Sequence, residues 1–151
     1  MKIDNTDIKI LKELQSDSRL SIRELSKRVN LSPPSVTERI RKFEDNGIIE
    51  NYTIKINEAA LGLSIQCMLQ IDIKNSNLEK FKEFVYDHPR VVFCYRIAGH
   101  SCILVKLCVK SIAEIEKFVD SISSLDSTTF THIIFSEIPV NKSIEKFFLD
   151  F

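Results

Sequence analysis

Apolar residues recur at helical spacing through the first third of the chain, and each such run opens in the same way. Val36, Ile40 and Phe43 stand at i, i+4 and i+7, which predicts one apolar stripe on a helix. Ser32 before it is a good N-cap, because its hydroxyl can accept from an otherwise orphan backbone N–H. Pro33 then takes the first helical position, where a missing N–H costs nothing, and Leu31 can staple to Val36. Gly47 follows where a left-handed closing residue is wanted. Upstream, Ile22, Leu25 and Val29 form the inward stripe of a shorter helix. Ser21 and Glu24 give it a capping box, Leu20 and Leu25 a staple, and Asn30 tolerates the left-handed turn out of it. A first helix is predicted over residues 1–17, capped by Asp4 with Asp7 at the third position, stapled by Ile3 and Ile8, with Ile8, Leu11 and Leu14 inward.

After Gly47 the period changes from helical to two. IIENYTIKIN alternates as a strand or short ribbon, which after two closely spaced helices is the position of a wing, with Lys55 able to reach phosphate. Residues 57–63 (NEAALGL) read as a hinge. Beyond it come a strand over 64–73, a helix over 77–86, strands over 90–98 and 102–109, a helix capped by Ser111, and a strand over 128–138. The order β-α-β-β-α-β is ferredoxin-like. The fold class is therefore α+β: a helical domain at 1–56, the hinge at 57–63, the ferredoxin-like domain at 64–140 and a tail at 141–151.

Both faces of that sheet are mostly apolar, yet helices can cover only one. Ile103, Val105, Leu107 and Val109 face one side; Cys102, Leu104 and Cys108 face the other, and Cys94 is assigned with them. An uncovered apolar face marks an interface, so Cys94, Leu104 and Cys108 are expected to pack on a second copy in a two-fold homodimer. The tail carries Ile144, Phe147, Phe148 and Phe151, too apolar to stay free, and is expected to dock on its own domain or on a neighbouring subunit.

Composition narrows the function. At 44% hydrophobic and 28% charged over 151 residues the chain is globular, and its formal net charge is zero, so any nucleic-acid affinity must come from a local patch. No apolar run approaches 18 residues and no signal peptide is evident, which predicts a cytoplasmic protein without a membrane partner, nucleoid-associated if it binds DNA. Cys67, Cys94, Cys102 and Cys108 form no C-x-x-C pair, and His88, His100 and His132 are scattered, so neither a metal nor a cofactor is expected. Paired catalytic carboxylates, a nucleophile triad and a Gly-rich phosphate loop are all missing, which argues against an enzyme. An RNA-binding sheet would need a K/R-G-F-x-F pattern around Phe93 and Tyr95 that the sequence lacks.

The third helix carries the chemistry. Opposite its apolar stripe lie Pro34, Ser35, Thr37, Glu38, Arg41 and Lys42, after Ser32, a face short on bulk and rich in hydrogen-bonding groups. Helix, tight turn and basic-faced helix is the helix-turn-helix arrangement, whose second helix enters the major groove. Ser35, Thr37, Glu38 and Arg41 are the candidates for base edges, and Arg23, Lys27, Arg28 and Lys42 for phosphates. Arg39 lies nearer the inward stripe, where DNA contact and an ion pair with Glu44 or a helix-one acid are equally open.

The segment DIKILKELQSDSRLSIRELSKRVNLSPPSVTERIRKFEDNGIIENYT, with FCYRIAG and THIIFSEI in the second half, resembles the Lrp/AsnC (feast/famine) transcription regulators over nearly the whole chain, and the LrpC type among them. The resemblance implies a winged helix-turn-helix followed by a RAM-type ferredoxin-like domain, a dimer that assembles further into tetramers or octamers, and double-stranded DNA as partner. It also implies an amino-acid effector at the turn after the second sandwich strand. That turn is Gly99-His100-Ser101-Cys102 here, without the aspartates of the G-D-x-D found in many members. Two other readings stay open: a chromosome-organising, DNA-bending protein without effector, and a small-molecule sensor with the helical half as a docking module.

Overall fold

The computed structural model describes residues 2–141 and 143–148, so Met1 of the expected first helix and Lys142 and Phe151 of the expected tail lie outside the described residues. The chain divides into two compact units, one formed by Met1–Lys55 with Pro139–Phe151, the other by Ile56–Ile138. The C-terminal segment thus belongs with the helical unit.

In the helical unit, α1 (Asn5–Ser16), α2 (Ile22–Val29) and α3 (Pro33–Asp45) enclose Ile10, Leu11, Leu25, Val29, Val36, Ile40 and Phe43. The caps form as local chemistry requires. Asp4 and Asp7 exchange backbone hydrogen bonds at 2.8 and 3.0 Å, as do Ser21 and Glu24 at 3.2 and 3.0 Å. Asn30 closes α2 at φ 57°, and Gly47 sits past α3 at φ 66°. Residues 50–56 differ from the expected ribbon, because no strand forms there. Alternation makes a segment extended, but a ladder needs a partner, and neither a helical surface nor another strand of this unit supplies one.

The second unit holds a four-stranded antiparallel sheet in the order β2-β3-β1-β4, from β1 (Ile65–Ile73), β2 (Val91–Arg96), β3 (Ile103–Val109) and β4 (Ser127–Ile134). Helices α4 (Leu78–Tyr86) and α5 (Ile112–Ser123) cover one face, burying Phe81 and Phe118 against Leu69, Ile71, Val105 and Leu107. Arg90 holds the first turn of α5 through a two-point ion pair, Nε to Glu114 at 2.8 Å and Nη2 at 3.2 Å, and the Glu114 carboxyl drops to about 2, first through that bond. No helix among the described residues is long and apolar enough to cross a membrane.

The open face differs from the sequence expectation in two places. A bulge between Val91 and Phe93 shifts β2, so Cys94 pairs with Val105 and lies on the helix side, while Phe93 and Tyr95 turn to the open side. A one-residue slip exchanges the faces of every later residue, and alternation alone cannot show it. Cys108 is on the open side but only 2% exposed, so it cannot line an interface. Of the three assigned interface residues, Leu104 remains, within a row Tyr95–Leu104–Gln70–Phe130 that crosses all four strands.

Candidate nucleic-acid interface

Burying Val36, Ile40 and Phe43 turns the rest of α3 to solvent. Ser32, Pro34, Ser35, Thr37, Glu38, Arg41 and Lys42 are all exposed, and the Arg41 side chain is 80% so. Ser32 accepts from the Ser35 N–H at 3.3 Å, and its hydroxyl lies 2.8 Å from that of Ser35, so Ser32 works as the cap. Thr37 Oγ1 donates to the Pro33 carbonyl at 3.0 Å, which fixes its rotamer with an acceptor lone pair still available. Lys42 Nζ donates to Glu38 Oε1 at 2.7 Å, and Arg41 Nε lies 3.7 Å from Asp45 Oδ2. Such exposed i,i+4 pairs contribute little in water, so both cations can be redirected to a ligand at small cost.

One of the expected DNA contacts, Arg39, is committed to the scaffold. Arg39 is half-buried and donates from Nη1 to Asp4 Oδ2 at 2.8 Å and to Asp7 Oδ1 at 2.5 Å. Its partners are the two carboxylates of the α1 capping box, and the Asp7 side chain is only 3% exposed. One pair of aspartates therefore starts α1 and clamps α3 to it. The Asp4 carboxyl is held below its ordinary range, first by the Arg39 bond. Of the two roles open to Arg39 in the sequence, the structure shows the ion pair with helix-one acids. Arg28 Nη1 likewise donates to Glu13 Oε2 at 2.8 Å, tying α2 to α1. Arg23 and Lys27 stay exposed on α2. With Arg39 committed, the charge presented to a partner is that of Arg23, Lys27, Arg28, Arg41 and Lys42.

The turn expected to bind an effector joins β2 to β3. Gly99 has φ 144°, in the range that favours glycine. Ser101 is buried, and its Oγ has no hydrogen-bond partner among the described residues. Cys102 Sγ points to the Ile71 and Ile73 carbonyls at 3.6 and 3.7 Å, which ties the turn to β1. The His100 and Phe130 rings lie 6.2 Å apart. Sequence reasoning missed Asp72, which pairs with Thr128 one step beyond the Ile71–Ile103 pair and so stands beside the turn on the open side. Its alternation with Gln66, Met68 and Gln70 was the available signal.

Residues 3–50 match the family model described as winged helix-turn-helix DNA-binding, and residues 66–144 match the Lrp/AsnC ligand binding domain. The chain is 45% identical to the HTH-type transcriptional regulator LrpC of Bacillus subtilis, across 91% of this chain and 95% of that one. The solved structure of B. subtilis LrpC superposes with a TM-score of 0.88, at 44% identity, over 93% of this chain and 100% of that chain. A transcriptional regulator of Neisseria meningitidis, solved as a complex with L-Met, gives a TM-score of 0.85 at 29% identity, over 95% and 96% of the two chains. Escherichia coli AsnC gives 0.82 at 26% identity, over 96% and 99%. With the bare polar face of α3 on a helix-turn-helix and a ferredoxin-like unit after it, these matches show that the chain belongs to the Lrp/AsnC family of DNA-binding transcriptional regulators, a family of regulators and not of enzymes.

Proposed function

We propose that this regulator binds as a two-fold dimer whose two α3 helices enter successive major grooves of one chromosomal duplex. The observation that carries the reading is the exposed face of Pro34, Ser35, Thr37, Glu38, Arg41 and Lys42, held outward by the buried stripe on one side and the Arg39–Asp4–Asp7 clamp on another. Arg41 is the base-reading cation, because guanine offers a bidentate acceptor pair in the major groove and the nearest acid, Asp45, holds Arg41 loosely. Arg23, Lys27 and Lys42 serve phosphates, and counterion release makes affinity fall steeply with salt. Arg41→Ala lowers affinity for the cognate site by about 1–3 kcal/mol and affinity for random DNA much less, with an unchanged melting temperature. Arg39→Ala does the reverse, lowering the melting temperature because Asp7 loses its buried partner. Titrations at fixed salt beside thermal melts check both, and equal losses on both DNAs would reduce Arg41 to a phosphate contact.

The dimer seam is the open face of the sheet around Tyr95, Leu104 and Phe130. Tyr95 is 58% and Phe130 45% exposed, more aromatic surface than a free sheet face leaves to water. Leu104→Lys places a charge in the middle of the Tyr95–Phe130 row, so light scattering should return the mass of one chain. A mass unchanged from wild type places the seam elsewhere. Further association of dimers into tetramers or octamers follows the family pattern.

An amino acid bound at the Gly99–Cys102 turn is the proposed effector. The buried, unpartnered Ser101 hydroxyl can donate to a ligand carboxylate, and Asp72 replaces the carboxylate this turn lacks as the partner for the ligand amine. Calorimetric titration with L-methionine and a panel of other amino acids should detect binding, weakened about tenfold in Ser101→Ala for one lost hydrogen bond. Heats at baseline across the panel would leave the turn without this role.

A further inference from the structure

The C-terminal segment has a position that DNA reading does not require. Residues 144–148 form a short 3₁₀ turn on α1, more than a hundred residues away in sequence. The Ile144 N–H donates to Gln15 Oε1 at 2.9 Å, and Lys12 Nζ pairs with Glu145 Oε1 at 2.9 Å. Ser143 braces the same glutamate, its Oγ 3.3 Å from Oε2. The Ile144 side chain packs on the core of the helical unit, in a cleft lined by Leu11, Leu14, Ile49 and Tyr52. Polar bonds at Lys12 and Gln15, one turn apart on α1, with Ile144 as an apolar anchor, make a specific dock.

The connectivity gives this dock a consequence. The chain leaves the helical unit after Lys55 and returns to it after Ile138, so two covalent crossings join the units. The return crossing begins after Ile138 and closes at Ile144, a span short enough to limit travel. A head on one flexible crossing samples many orientations, whereas a second crossing removes most of them. Two heads preset on a dimer gain effective concentration for a matching pair of half-sites and lose it for a mismatched pair.

We propose that residues 143–148 are a second strap that fixes the orientation of each DNA-binding head and so sets how strictly the protein requires its two half-sites to lie in phase. The proposal rests on the two-headed reading above. The two ideas fail in different ways, so one experiment separates them.

The full-length protein is titrated with duplexes whose half-sites are in phase or offset by half a helical turn, about 5 base pairs. Two variants are compared: Ile144→Asp, which undocks the strap, and an insertion of about six Gly/Ser residues between Val140 and Asn141, which slackens the crossing with the strap still docked. Wild type should prefer the in-phase duplex by about tenfold or more, and both variants should reduce that ratio to about threefold or less while the in-phase affinity changes little. Hydrogen exchange in α1 should accelerate in Ile144→Asp and stay as in wild type in the insertion variant, with β1 and β3 unchanged in both. A wild type indifferent to phase overturns the strap, and one that also binds a duplex with a single half-site as tightly as the in-phase pair overturns the two-headed reading with it. A phase-selective wild type whose insertion variant is equally selective overturns the strap alone, even if Ile144→Asp fails to fold.

Discussion

A narrow apolar stripe has to hold a helix whose remaining surface stays bare. Val36, Ile40 and Phe43 are the buried residues of α3, and the opposite face must remain wet to be of use. Small helical cores are marginal because they bury a limited share of their surface. This unit compensates at its rim: Asp4 and Asp7 cap α1 and also receive Arg39 from α3, Glu13 receives Arg28 from α2, and Gln15 and Lys12 receive the C-terminal turn. Every one of these polar ties converges on α1, which serves as the frame against which α3 is set.

What the sequence disclosed was what local chemistry decides. The capping boxes at Asp4 and Ser21, the left-handed Asn30 and the glycine after α3 each depend on residues within a turn of one another, and each forms as expected. The same holds for the β-α-β-β-α-β order and for the apolar stripe that leaves Arg41 outside. What stayed hidden depends on a distant partner. The β2 bulge is set by pairing with β3, and it moved Cys94 to the helix side. Alternation through residues 48–56 reported an extended chain but could not supply a strand to pair with it. Arg39 could turn either way on a helical wheel until α1 stood beside it. No periodicity in the tail names Gln15 as the acceptor for Ile144.

The ferredoxin-like unit divides its labour by face. Phe81 and Phe118 seal one side of the sheet, and the other keeps Tyr95, Leu104 and Phe130 toward solvent. The Gly99–Cys102 turn lies at the edge of that open side, with a buried Ser101 hydroxyl that has no partner among the described residues. The proposed seam and the proposed ligand site thus lie on one surface. This turn departs from the common acidic pattern, while Asp72 keeps a carboxylate within the same neighbourhood.

The claim underneath the whole account is that the polar side of α3 lies in a major groove. Dimethyl sulfate probing of a selected genomic site tests it directly, because the reagent attacks guanine N7 in the major groove and adenine N3 in the minor groove. Guanine N7 should be protected within each half-site, and the protection should weaken in Arg41→Ala. Protection confined to adenine N3, or guanines as reactive as in free DNA, would contradict it.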